Sequence, residues 1–177
     1  MAKNYVYRMH HDTGFAPHIE GSQCFLSGCK CSKTNNRRNI EEAATQESWI
    51  IGIGGNQTRQ PNKIIYIMQV KANISREQFR SEYPKQSQYI STDHVGTRVL
   101  VSDNYYYFGD KAIEVPKGLE HLIVSRQGCK LVIDKDITEL LSYLKANNLN
   151  PGKHGNPNDP SYDNRPKAPN KGKTECA

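Results

Sequence analysis

Three of the six histidines and three of the five cysteines in this chain fall between Tyr5 and Cys31, in the run YVYRMHHDTGFAPHIEGSQCFLSGCKC. His11, Asp12 and Thr13 place an imidazole, a carboxylate and a hydroxyl side by side, and Gly14 allows a ligand to approach the backbone closely. A loop of that make-up can bind a base or a phosphate, and His11 or Asp12 can act as general base in a reaction on it. A purely local reading stands beside this one: Asp12 or Thr13 caps a turn, and the histidines are solvated.

Cys24, Cys29 and Cys31 are spaced C-x4-C-x-C. With His10, His11 or His18 they offer the ligand types that zinc prefers, although the spacing is not that of a finger or ribbon. Cys24, Cys29 and His11 are therefore the candidate metal set. Zinc is the one cofactor these residues could take, and none is demanded. Inert, buried thiols are one alternative. Another is a nucleophilic Cys29 acidified by Lys30. Thr13, Gly14, Lys30 and Arg38 are candidate nucleotide contacts, because cations beside a polar loop suit phosphate. Tyr105, Tyr106, Tyr107 and Phe108 make a strand that is aromatic on both faces. One face belongs in the core, and the other, through Tyr107, could stack on a base. The run GIGG at 52–55 lacks the third glycine of a dinucleotide fingerprint and the Gly-Lys-Ser of a phosphate loop, so it reads as hairpin glycines.

The elements that must carry these residues follow from periodicity. Strands are expected at Tyr5 to Met9, Gln23 to Leu26, Trp49 to Ile53, Lys63 to Val70, Thr97 to Val101, Tyr105 to Phe108 and His121 to Val124. The Gly, Asn and Pro signals between Ile53 and Ile64 make the flanking strands an antiparallel pair. Asp136 and Glu139 form a capping box ahead of an apolar stripe of Ile137, Leu140, Leu141 and Leu144, which predicts a helix packed on the sheet. A second helix starts at Ser75 and stops before Pro84. A third covers Ile40 to Thr45. The fold class expected is α+β: a mixed, mainly antiparallel, barrel-like sheet with two or three peripheral helices. It forms one domain over 1–162, followed by a flexible basic tail over 163–177.

The net charge of +6 favours a nucleotide or nucleic acid as partner, although part of it lies in the tail at Arg165, Lys167, Lys171 and Lys173, where solubility explains it. Apolar runs such as Ile64 to Met68 fall far short of the roughly 18 residues that cross a bilayer, so no membrane partner is expected. An odd number of cysteines and no apolar leader point to the cytoplasm.

YRMHHDTGFAPH, then C-x-L-x-x-CK, a basic stretch, WIIGIGG, KIIYIMQV, YYYFGDKA and HGNP together resemble the nucleotide modification associated domain family, second type, from about Tyr5 to Pro157. The resemblance implies an intracellular microbial or phage protein linked to modified nucleotides or bases. His11, Asp12, Gly14, Pro17, Cys24, Cys29, Lys30, Tyr66, Gly109 and His154 match positions of the family pattern, and His154 thereby joins the nucleotide-binding candidates. Gln127-Gly128-Cys129-Lys130 departs from the glycine, arginine and histidine run expected there. The strand, loop, helix, strand order also looks like the small barrels of the pseudouridine synthase accessory domain superfamily. Three functions are open at this point: a nucleotide or modified-base binding domain, an enzyme on such a ligand using His11, Asp12 and Cys29, and a protein-interaction or inhibitor module.

Overall fold

The computed structural model describes residues 1–27, 39–89, 98–126 and 128–159. In chain order the elements are β1 (Asn4–Met9), β2 (His18–Glu20), β3 (Gln23–Leu26), α1 (Ile40–Ala43), β4 (Trp49–Gly54), β5 (Lys63–Gln69), β6 (Ala72–Ser75) and α2 (Arg76–Glu82). They continue as β7 (Arg98–Ser102), β8 (Asn104–Tyr107), β9 (Ile113–Glu114), β10 (Cys129–Val132), α3 (Asp134–Ala146) and β11 (Gly152–Lys153). The first sheet runs β10-β1-β4-β5-β8-β11 with β9 also on β5, and the second runs β2-β3-β7-β6. Pairing is antiparallel except for β1 with β4 and β8 with β11. The architecture is thus mixed α+β with mostly antiparallel strands. The strands divide between two sheets, and neither closes on itself among the described residues.

Alternation along the strands sorts side chains into three cores. Tyr7, Met9, Tyr66, Met68, Tyr105 and Tyr107 of the first sheet meet Cys24, Leu26 and Leu100 of the second. On the far face of the first sheet Val6, Ile51, Ile67 and Phe108 pack under Ile137, Leu140 and Leu144 of α3. On the outer face of the second sheet Phe25, Val99 and Val101 are covered by Phe79 of α2. The aromatic strand is therefore buried on both sides, with Tyr106 only 9% and Tyr107 only 1% exposed. This corrects the expectation of an open stacking platform there: both faces of the first sheet have a layer to cover.

The cap expected at Ser75 is present, its Oγ accepting from the Gln78 amide at 3.0 Å, and α2 ends at Glu82, ahead of Pro84. The start of α3 differs. The helix begins at Asp134 with Ile133 in the cap position, and the Asp136 carboxylate instead sits 2.8 Å from His121 Nε2. The strand expected at His121 to Val124 is a 3-10 turn over Glu120–Leu122, because Leu119 and Leu122 are both buried and three residues apart, a helical rather than an alternating spacing. The edge strand beside β1 is β10.

Gly52 lies against Tyr66: a Cβ there would come within 2.3 Å of the Tyr66 ring and 2.7 Å of Met9 Sδ. Gly52→Ala is expected to cost about 1–3 kcal/mol through overpacking. Chemical denaturation checks this, and an unchanged midpoint contradicts the packing.

Candidate functional site

Asp12 leaves the end of β1 and turns into the protein, where it is 0% exposed. Its Oδ1 accepts from the Tyr107 hydroxyl at 2.7 Å. Its Oδ2 accepts from the Asn158 backbone amide at 3.0 Å and from Asn158 Nδ2 at 2.9 Å. The main chains are tied as well, the Asp159 amide donating to the Asp12 carbonyl at 3.1 Å. Burial raises the pKa of Asp12 above the ordinary carboxylate value and the charge of Asp159 adds to that, against the lowering effect of the Tyr107 and Asn158 donors. Burial first, then the adjacent Asp12 charge, pushes the Tyr107 hydroxyl up, so it remains a proton donor. This is a buried polar network whose donors are aimed at one carboxylate, which is how such groups are accommodated in a core.

The structure thus brings His11, Asp12 and Tyr107 into one neighbourhood, joined through the hydrogen bonds of Asp12 and Asp159. His11 Nδ1 stands 3.7 Å from Asp159 Oδ2, with its side chain 26% exposed, and its ring meets that of His10 edge to face. Thr13 and Gly14 continue the loop, Gly14 at φ +87. His154 is elsewhere: its ring stacks on Phe108 at 5.2 Å, and its Nε2 is 2.7 Å from the Asn150 carbonyl. Cys24 is 0% exposed with its thiol 3.8 Å from Met68 Sδ, and burial pushes its pKa up, away from the thiolate that a nucleophile or a metal ligand requires. Cys29, Lys30 and Arg38 lie outside the described residues, as does 163–177. Among the described residues no three His, Cys, Asp or Glu side chains are grouped to hold a metal ion.

The loop that Asp12 anchors ends on the other side, at a cleft. Phe15, His18, Phe25, Ser27, Phe79, Gln86 and Val99 line a small cleft on the outer face of the second sheet, with about 10 Å³ of free interior, the room of one water. Alternation puts Phe25 on that face, with Cys24 and Leu26 turned inward, and the burial of Phe79 aims the α2 ring at it. The two rings meet edge to face at 5.2 Å. His18 lies parallel to Phe25 at 6.4 Å, and its Nδ1 is 2.9 Å from the Gly14 carbonyl. A carbonyl only accepts, so Nδ1 carries the proton. Ser27 Oγ is buried, with no hydrogen-bond partner among the described residues. Sequence reasoning missed Phe15, Phe25, Ser27, Phe79 and Gln86 as site residues. The phenylalanine inside GFAPH was the available signal, since a large ring in a Gly-Pro loop needs somewhere to go.

The family model described as nucleotide modification associated domain 2 matches residues 1–86 and 73–164. No curated protein matches the chain. Among solved structures it is similar to ASCH from Zymomonas mobilis, at 11% identity and a TM-score of 0.41 over 79% of this chain and 94% of that one. A serine-to-alanine variant of that protein aligns at 12% identity and a TM-score of 0.38, over 80% and 96% of the two chains. A tyrosine-to-phenylalanine variant aligns at 11% identity and a TM-score of 0.38, over 79% and 97%.

Tyr107→Phe removes one donor from a buried carboxylate and is expected to cost about 1–3 kcal/mol in chemical denaturation. The titration of Asp12 supplies a signed test. Its pKa is raised on folding, so the stability it contributes is full below the ordinary value of 3.8 and is lost as pH rises through the folded value. Asp12→Asn does not titrate, so the stability gap between parent and variant should be largest near pH ~4 and shrink toward pH ~7. A gap that stays flat over that range contradicts the assignment.

Proposed function

We propose that this chain, which belongs to the nucleotide modification associated domain 2 family, binds the base of a nucleotide or nucleic acid in the phenylalanine-lined cleft of the second sheet. One observation carries the reading: apolar rings from three separate elements, Phe15 of the first loop, Phe25 of β3 and Phe79 of α2, converge on the lining of one cleft together with Ser27. Mostly apolar walls with a few polar groups are the make-up of a small-ligand site, and with about 10 Å³ of free interior the rings part to admit a base. Aromatic walls suit a flat π-system, and base stacking on such rings is worth about 1–3 kcal/mol. His18 and Gln86 are the further polar groups on the lining, His18 with Nδ1 on the Gly14 carbonyl and Nε2 3.4 Å from Glu20 Oε2. The positive net charge would draw the phosphate-bearing ligand to the surface.

The test is thermal shift and calorimetry with adenosine, guanosine, cytidine, uridine and their base-methylated forms. A nucleoside that binds the folded protein raises the melting temperature in proportion to its concentration over its Kd. Phe15→Ala should weaken that binding by about 5- to 150-fold, the equivalent of one stacking contact. Stabilisation by no member of the panel, or equal affinity in Phe15→Ala, contradicts the proposal.

A further inference from the structure

Resting on the base-binding reading, we infer that Asp12 and Asn158 are positioning residues for the cleft: their contact fastens the loop that carries Phe15 and His18 to the end of β8.

The C-terminal segment is laid along β8 by main-chain hydrogen bonds. The His154 amide donates to the Tyr107 carbonyl at 2.7 Å and the Asp110 amide to the Asn156 carbonyl at 2.8 Å. The Asn156 amide returns one to Asp110 Oδ1 at 2.9 Å. Two glycines permit this approach: a Cβ at Gly155 would sit 1.9 Å from the Phe108 carbonyl oxygen, and one at Gly109 would sit 2.1 Å from that of Asn156. So placed, Asn158 has both of its N–H groups on Asp12 Oδ2 and is itself buried.

From Asp12 the chain has little slack. Phe15 is three positions further on, which limits their Cα distance to about 11 Å even when fully extended. The far end of the loop is held where His18 Nδ1 donates to the Gly14 carbonyl at 2.9 Å. The stretch that carries Phe15 thus has a fixed point on either side, one made by the C-terminal segment and one by the first residue of β2. Release of Asp12 frees one of them, and the Phe15 wall of the cleft moves with it. Neither Asp12 nor Asn158 lines the cleft, so they act on a ligand only through this loop.

Two variants test the inference. Asn158→Ala removes the side-chain donor and keeps the backbone, and Tyr107→Phe loosens Asp12 from the opposite side while leaving the segment intact, so one informs if the other fails to fold. Ring proton resonances of Phe15 and His18, read by NMR without ligand, should shift in both variants. Affinity for whichever nucleoside of the panel binds the parent should fall about fivefold or more, the lower end of ordinary coupling between sites. Unshifted Phe15 and His18 rings, or unchanged nucleoside affinity in folded variants, overturn the positioning role. If no nucleoside binds the parent, the base-binding reading has failed, and the ring resonances alone then decide whether Asp12 sets the loop.

Discussion

A carboxylate with no exposed surface must collect donors or be neutralised, and Asp12 collects them from distant parts of the chain. Tyr107 comes from the central strands of the first sheet and Asn158 from the last described residues, 146 positions away. Because one oxygen faces each, the carboxylate holds the first loop, β8 and the C-terminal segment in one arrangement. The Tyr7 and Tyr66 hydroxyls, 2.8 Å apart in the same core, show the same economy: polar atoms between the sheets are matched with one another. The segment rich in Asn and Pro after α3 has few apolar side chains of its own, yet it is ordered here through main-chain bonds to the end of β8.

The consequences spread outward from that point. The loop that starts at Asp12 in the inner core ends at His18 on the outer face of the second sheet, and it carries Phe15 between the two. A buried network on one side thereby shapes an aromatic cleft on the other. The division of labour is chemical: charge and strong hydrogen bonds fix position at Asp12, while apolar rings line the cleft. Asp12, whose residue type suggests acid-base chemistry, is engaged in the folded protein by a phenol and two amide N–H donors.

Much of the fold was legible because its signals are local. Alternating apolar and aromatic residues marked β1, β3, β4, β5, β7 and β8 to within a residue or so, and Ser75 with Gln78 marked the start of α2. Elements whose pattern is weakened by their place in the fold were not. β10 is an edge strand with Leu131 62% exposed, β2 and β6 are only three and four residues long, and Asp136 was drawn from its capping role by His121. Asp12 and its partner Tyr107 both stand out in the sequence by residue type. What could not be read was the burial, because it depends on Asn158 arriving from the other end of the chain. Nor could the cleft be read, since Ser27, Phe79 and Gln86 meet only after two sheets and α2 have been assembled.

The central claim, that the C-terminal segment is held by the Asp12 carboxylate as part of the folded core, is tested most directly by amide hydrogen exchange at Asn158 and Asp159 in the unliganded protein. Their amides donate to Asp12 Oδ2 and to the Asp12 carbonyl. Protection approaching that of β5 and β8 is the predicted result, since these bonds should break only with the core. Exchange at the rate of a fraying terminus would contradict the account.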